Sequence, residues 1–504
     1  MSLWDLIVRR NGGDGAGSRR AVVIGSSQAV RHARRVLRGA HEAGRIVGAV
    51  LTQRQHRIGA IGLRVLGTID ELDLVLRAHR IDVAYVSIPI AMHKLAGRIT
   101  ARLEELGVAV RRMPTLGDQL DGRIGCPAGS IDTHVLLDRG PHRLDEPAIT
   151  RTLQHKRVLI TGAGGSIGSH IARIVAQFQP EKILLMDRSE NGLFEIDRRL
   201  GTEARQIDRA VLLADVTDAQ RTMDIVRLHR PHVIFHAAAH KHVPMMQDHP
   251  REAMINNFFG TRSIADAADA CGAERFVMIS TDKAVNPTSV MGATKRCAEL
   301  YVQDLARRSD TFCSMVRFGN VLGSACSVVP IWSQQLSEGG PITITDPRMT
   351  RFFMTIPEAA ALVIQSTSLD ENTGQVFVLD MGEPVRIVDM AERFVKLHGL
   401  EPGRDVEIAT IGMRPGEKLY EELAYDSEDM LPTSHESVRI VRTRPPEVSH
   451  VRWMGQTFEA LRHCDDRDQI IAALQRAVPQ MRRDEPSEVP IARIQTPAAL
   501  SRSA

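Results

Sequence analysis

The sequence predicts an α/β architecture: two doubly wound parallel-sheet domains in tandem, the second with a small α+β part at its C-terminal end. Two series of short apolar, β-branched runs alternate with longer helical patterns, one beginning at Ala21 and the other at Arg157. A polar, proline-flanked connector at 141–147 separates them. Such strands read as unbroken apolar runs because helices cover both faces of a parallel sheet.

The elements follow in order. Residues 1–10 (MSLWDLIVRR) carry a short apolar stripe of Leu3, Trp4, Ile7 and Val8 before two arginines. At most it contacts a membrane surface peripherally; a frayed or docked terminus is the alternative. Residues 11–18 have linker composition, so 1–20 form a segment of their own. The first domain spans 21–140, with strands expected at 21–25, 46–51, 83–88 and 108–111 and a helix over about 28–40. Its turn, Gly25-Ser26-Ser27, lacks the later glycines of a dinucleotide fingerprint. The domain is read as structural or regulatory, with a nucleotide site as the minority alternative. The second domain spans 150–445, its smaller α+β region beginning near Gly374. From 478 to 504 the chain is rich in Pro, Ser and Arg and reads as a disordered tail.

The strongest single signal is TGAGGSIG between an apolar run and an amphipathic helix pattern. Gly162, Gly164, Gly165, Ser166, Ile167 and Gly168 form a turn that brings backbone N–H groups and a helix N-terminus against a pyrophosphate. That context makes the domain Rossmann-like. Asp187 stands nineteen positions after Gly168, at the end of KILLMD, where an acid holds a ribose 2′-hydroxyl. This favours NAD; Arg188 beside it keeps NADP possible. Asp215 and Val216 end the next run, with Asp215 either meeting the adenine or capping a helix. Ala237, Ala238 and Ala239 are small enough for a ring to approach. His236, His240 and His242 lack a carboxylate or cysteine set around them, so no metal is expected.

A fifth strand at 276–281 delivers Thr281, Asp282 and Lys283 to a strand end, where open α/β sheets place their chemistry. Met291 and Lys295 lie four apart on one helix face. On pattern alone, Asp282 and Lys283 are either a general acid and base or a surface ion pair.

Six motifs in one order, TGAGGSIG, DRSENGLFEI, HAAAHKHVPMM, ISTDKAVNPTSVMGATKR, VRFGNVLGS and MRPGEKLYEEL, span about 157–423. Together they resemble the extended short-chain dehydrogenase/reductase superfamily. More narrowly they resemble the bacterial nucleotide-sugar dehydratases of polysaccharide biosynthesis, typified by UDP-N-acetylglucosamine 4,6-dehydratase. The resemblance implies that the sugar C-4 is oxidised, water is lost across C-5 and C-6, and C-6 is then reduced, giving UDP-2-acetamido-2,6-dideoxy-4-keto-hexose. It implies tightly held NAD, a UDP-sugar substrate and a homo-oligomer. Thr281 would bond the C-4 oxygen, Asp282 protonate the leaving hydroxyl and Lys283 take the C-5 proton as a neutral amine. Lys295 would hold the nicotinamide ribose. Met291 occupies the usual tyrosine position, a feature shared with the large dehydratases of this family. Lys241 would border the sugar, and Asn320 would hold the sugar or a phosphate. Arg351 and Arg414 are candidate diphosphate clamps or structural ion pairs, with Glu417 and Lys418 nearby. The chain departs from the family in reading Gly323-Ser324-Ala325-Cys326-Ser327 where Gly-Ser-Ser-Gly-Ser is common, and the transmembrane helices that precede the first domain in the large members are not expected in this sequence. The alternatives are a UDP-sugar 4-epimerase and a catalytically silent scaffold that senses NAD or UDP-sugar.

Composition narrows the partners. Lys+Arg number 64 against Asp+Glu 61, and aromatics are 4%, which argues against nucleic-acid binding. Six scattered cysteines with no CxxC pair fit a reducing cytoplasm. No apolar run of about 18 residues is present, so the expected location is cytoplasmic, at most peripheral to the membrane.

Overall fold

The structure is a computed structural model that describes residues 20–37, 45–52, 63–88, 92–113, 142–324, 326–369, 373–398, 400–425 and 429–482. Two compact units result. One takes in the described residues of 1–139 with 328–343 and 389–409; the other takes in those of 140–327, 344–388 and 410–504.

In the first unit, strands β1 (Arg20–Gly25), β2 (Arg45–Leu51), β3 (Val65–Thr68), β4 (Val83–Ser87) and β5 (Ala109–Arg112) form a parallel sheet in the order β3-β2-β1-β4-β5. Ala21 to Ile24 are fully buried. Ala21 and Val23 enter one apolar cluster and Val22 and Ile24 another, as the period of two requires of a strand covered on both faces. Helices α1 (Ser27–Leu37), α2 (Leu72–His79) and α3 (His93–Glu105) join the strands. The helix expected over 28–40 thus starts one residue earlier, and 38–40 lie outside the described residues. Strand β3 had no sequence signal: it is a four-residue, half-buried edge.

The second unit is built on a nine-stranded sheet. It contains β6 (Arg157–Thr161), β7 (Lys182–Asp187), β8 (Asp208–Leu213), β9 (Val233–His236), β10 (Arg275–Ile279), β11 (Phe312–Arg317), β14 (Gln375–Leu379), β15 (Met430–Pro432) and β16 (Val438–Val441). Two further strands, β12 (Asn320–Leu322) and β13 (Phe353–Thr355), pair with each other in parallel outside it. The order is β15-β16-β14-β11-β10-β9-β6-β7-β8. Strands β8 through β14 are parallel, and β16 and β15 close the edge antiparallel. The chain therefore steps outward from β6 through β7 and β8, then returns to β9 and continues the other way. That reversal opens a crevice between the C-terminal ends of β6 and β9, where Thr161 is in register with His236. The α+β region expected from Gly374 contributes β14 and β16 to this same sheet.

Helices α4 (Ser166–Val175), α5 (Glu190–Glu203), α6 (Ala219–His229), α7 (Gly260–Ala270) and α8 (Val290–Ala306) cover the sheet. Two last helices, α9 (Val448–Ala460) and α10 (Arg467–Ala477), pack on α8 and on a π-helical turn at Met254–Phe259. Phe458 meets Phe258 edge-on at 5.0 Å. Val478 and Met481 are buried in the same cluster, so ordered chain continues past 478, where the tail was expected to begin; 483–504 lie outside the described residues. Among the described residues no helix is long and apolar enough to cross a membrane. The stripe at 1–10 and the linker at 11–18 also lie outside them.

Candidate active site

The crevice at the β6–β9 reversal is shaped by glycines with different duties. Gly162 leaves β6 with φ of 68°, and a Cβ there would lie 2.7 Å from the Ala237 carbonyl carbon. Only glycine fits, because the turn needs a positive φ and the β9 chain passes against it. Gly165 is different. It caps α4 from extended backbone, and its Cβ position meets only the Gly162 oxygen, at 3.2 Å. The protein leaves that space open in front of a helix N-terminus that has no side-chain cap. That is the setting in which a helix N-terminus can meet a diphosphate.

The crevice is a cavity of ≈ 150 Å³ lined by Gly162, Gly165, Asp187, Arg188, Asp215, Val216, Ala237, Ala238 and Ala239, together with Ala214, His240 and Asn256. Nine sequence-predicted positions thus converge. Gly164, Ser166, Ile167 and Gly168 stand behind them: the Gly164 N–H donates to Asp187 Oδ2 at 2.9 Å, and Gly168 lets α4 approach the Gly162 carbonyl. Asp187 Oδ1 accepts from Ser189 N at 2.8 Å. Both Asp187 oxygens are thereby fixed at the end of β7 with lone pairs left for a ribose diol. Arg188 lies 3.5 Å from Asp215 Oδ2, with its Nη2 3.2 Å from His240 Nε2. His236 is no ligand-holding group. Burial pushes its imidazole down to about 3, so it is neutral, bridging Thr161 Oγ1 at 2.8 Å and Thr261 Oγ1 at 2.9 Å. Among the described residues no His, Cys, Asp and Glu group could hold a metal ion.

Strand β10 ends beside this crevice, and its exit loop carries the polar trio. Thr281 Oγ1 donates to Asp282 Oδ1 at 2.9 Å. Lys283 Nζ donates to the same Oδ1 at 3.0 Å and to Asn320 Oδ1 at 2.9 Å, and lies 3.5 Å from Glu421 Oε1. Asp282 is fully buried, and among the described residues its Oδ2 has no hydrogen-bond partner. Burial disfavours the Lys283 ammonium, yet Asp282 and Glu421 outweigh it and raise its pKa. This corrects the expectation of a resting neutral amine: Lys283 starts protonated and must shed a proton before it can act as a base.

Lys295 is almost fully buried on α8 and donates to the Ile279 carbonyl at 2.7 Å. Burial lowers its pKa to about 8, with Glu299 opposing. Met291, one turn earlier, packs into the apolar cluster with Val243 and Met254 and offers no proton donor. Three of the positions named for the substrate have partners within the protein. Arg351 is buried, donating to the carbonyls of Thr350, Leu419 and Lys418 at 2.7, 3.1 and 2.7 Å, with Nε 3.7 Å from Glu421. It organises the 418–421 segment and is not a free clamp. Arg414 is half exposed but neutralised by Glu417, 2.7 Å away. Lys418 is spent on Val285 O and Glu422. Lys241 donates to Ser324 Oγ at 3.3 Å.

Sequence reasoning missed four supporting residues. Glu299 is fully buried, accepting from Ser280 Oγ at 2.6 Å, from Arg317 Nε and Nη2 at 2.8 Å each, and from Arg296 at 2.9 Å. Arg317, a lone charge in the apolar strand SMVRFGN, was the available signal. Asn257 clamps the loop after β9, accepting from His240 N at 2.8 Å and donating to Thr294 Oγ1 at 3.1 Å. An amide pair inside the apolar run MINNFF marked it. Glu421 could not be separated from Glu417 by pattern.

Residues 4–114 match the family described as CoA-binding domain, and 158–443 match the family described as Polysaccharide biosynthesis protein. The chain is 44% identical over 369 residues to the capsular polysaccharide biosynthesis protein CapD of Staphylococcus aureus, covering 73% of this chain and 61% of that one. It thus spans less than two thirds of that relative's length. It is 33% identical to a UDP-N-acetylglucosamine 4,6-dehydratase (inverting) of Campylobacter jejuni, over 53% of this chain and 76% of that one. A UDP-glucose 4-epimerase of Rickettsia rickettsii is 32% identical over 55% and 79%. The X-ray structure of Pen from Bacillus thuringiensis superposes with a TM-score of 0.53 at 32% identity, over 58% of this chain and 89% of that one. A glycine turn opening onto a sheet-reversal crevice, an acid–lysine pair at the neighbouring strand end, and a family match over more than half its length place the chain in the polysaccharide biosynthesis protein family of nucleotide-sugar dehydratases and epimerases.

Proposed function

We propose that this protein is an NAD-dependent nucleotide-sugar 4,6-dehydratase acting on UDP-N-acetylglucosamine or a close relative of it. The observation that carries the reading is the Asp282–Lys283 pair at 3.0 Å, with Asp282 fully buried and Lys283 half-buried at the end of the strand next to β9, supplied with Thr281 and Asn320. A 4-epimerase needs one proton acceptor at O-4; elimination across C-5 and C-6 needs an additional acid and base. Bound NAD would supply the reversible oxidation of C-4 and reduction of C-6.

The residues fall into proton-handling roles. The Thr281 hydroxyl accepts the O-4 proton and passes its own to Asp282 along their hydrogen bond. This replaces the proton path that Met291 lacks. Asp282 then protonates the departing C-6 hydroxyl. Lys283, once neutral, takes the C-5 proton. Lys295 places a positive charge at the nicotinamide end of the crevice and stabilises negative charge developing at O-4. Asp187, with its carboxylate at the ribose end of the crevice, favours NAD over the 2′-phosphorylated cofactor. Asn320 and Lys241 border the sugar.

A 4-epimerase is the second reading, favoured by the epimerase relative at 32% identity against 33% for the dehydratase. The test is to incubate purified protein with UDP-N-acetylglucosamine and follow product mass. Loss of one water supports the dehydratase; interconversion of C-4 epimers without mass change overturns it. Retained cofactor with no turnover on any UDP-hexose would point to a silent sensor.

A further inference from the structure

Lys283 faces a proton-inventory problem that Asp282 alone does not solve. If Asp282 receives the O-4 proton through Thr281, it is charged as the acid, but Lys283 still holds its own proton and cannot serve as the base. A second acceptor must lie within reach of Lys283 and away from the sugar.

We infer that Glu421 is that acceptor: a positioning residue that stores the Lys283 proton during each turnover. This rests on the dehydratase reading above. The Glu421 side chain is 2% exposed and its Oε1 is 3.5 Å from Lys283 Nζ. Its Oε2 is buried and among the described residues has no hydrogen-bond partner, which leaves it able to accept a proton. Arg351 Nε sits 3.7 Å from Oε1 and is itself pinned by three backbone carbonyls, so the carboxyl cannot swing away. The charged groups facing the pair are Asp282 and Arg351, with Lys418 further from Glu421. Burial, reinforced by Asp282, raises the Glu421 pKa against the pull of Lys283, Arg351 and Lys418, so taking a proton is made easier there.

The protons balance over one cycle. At rest Asp282 and Glu421 are carboxylates and Lys283 is an ammonium. The O-4 proton moves to Asp282, and the Lys283 proton moves to Glu421. Lys283 takes the C-5 proton as Asp282 gives its proton to the leaving hydroxyl, which departs as water. Lys283 returns a proton to C-5 when C-6 is reduced, and Glu421 returns the stored proton to Lys283. The net transfer is one proton from O-4 to the released water, and all three side chains end as they began.

The test compares Glu421→Gln with wild type, reading three signals: bound cofactor, C-4 oxidation by the absorbance of reduced nicotinamide, and water loss with solvent-deuterium entry at C-5. The amide cannot take a proton. Water loss and C-5 exchange should fall about 10²-fold at neutral pH, with C-4 oxidation and cofactor content unchanged. Raising the pH should restore the rate, because solvent then removes the Lys283 proton, whereas wild type stays flat over the same range. Glu421→Asp should recover part of the neutral-pH rate. Equal loss of oxidation and elimination with an unaltered pH profile would mean a merely structural role and overturn the inference, as would wild-type water loss in Glu421→Gln. If the amide variant does not fold, Glu421→Asp decides: a rate that climbs with pH supports the store, and a wild-type profile overturns it. Absence of water loss in wild type itself would instead remove the dehydratase reading beneath it.

Discussion

Replacing Glu299 by Gln should cost the second unit about 3 kcal/mol of stability at neutral pH, and that cost should disappear in acid. Burial alone would raise this carboxyl's pKa. The charge and hydrogen bonds of Arg317, then Arg296 and Ser280, outweigh burial and hold it at about 2 against an ordinary 4.5. At about 1.4 kcal/mol per pKa unit the difference corresponds to about 3 kcal/mol. Removing one member of a buried ion pair costs about 3–5 kcal/mol, which agrees. The folded value lies below the unfolded one, so the contribution is complete above about 4.5 and is lost as pH falls towards about 2. Urea unfolding of wild type and Glu299→Gln at a series of pH values measures this. The gap in free energy should be widest near pH 7 and should close on acidification. A gap that is independent of pH, or one below about 1 kcal/mol when the pair cost is expected to be several, would refute the assignment of the network. Because Glu299 also holds Ser280, next to Thr281, the same variant should lose activity before it loses its fold.

Other substitutions separate the roles of neighbouring residues. Lys283→Ala should retain cofactor and C-4 oxidation but slow water loss about 10²–10⁴-fold; product mass and C-5 label incorporation check it, and undiminished water loss would remove Lys283 as the base. Gly165→Asp should leave the fold as stable as wild type or more so, since Asp is a favoured helix cap, yet purify without cofactor because its carboxylate meets the diphosphate. Full cofactor occupancy in that variant would place the nucleotide elsewhere. Gly162→Ala should do the reverse of a binding lesion and destabilise the fold by about 1–3 kcal/mol, through strained backbone and a Cβ pressed on Ala237; thermal unfolding reads it.

The sequence by itself determined the doubly wound character of both units, because β-branched runs and intervening helical patterns are local properties of the chain. It also located the glycine turn and the Thr281–Asp282–Lys283 trio, since both lie within a few residues of a strand end. Even the nine positions lining the β6–β9 crevice were legible, as each follows one of four successive parallel strands whose ends the topology gathers. What the tertiary structure decided depends on partners far apart in the chain. Whether Arg351 is a clamp or a strut is set by the carbonyls of Lys418 and Leu419, and the Lys283 charge, held first by its neighbour Asp282, is reinforced by Glu421, more than a hundred positions away. The same is true of α9 and α10, which have ordinary amphipathic patterns but pack onto α8 and keep Val478 and Met481 inside. Local pattern specifies where a side chain leaves the backbone. The ionisation state and task of that side chain follow from which charges, carbonyls and apolar surfaces close around it when the chain is folded.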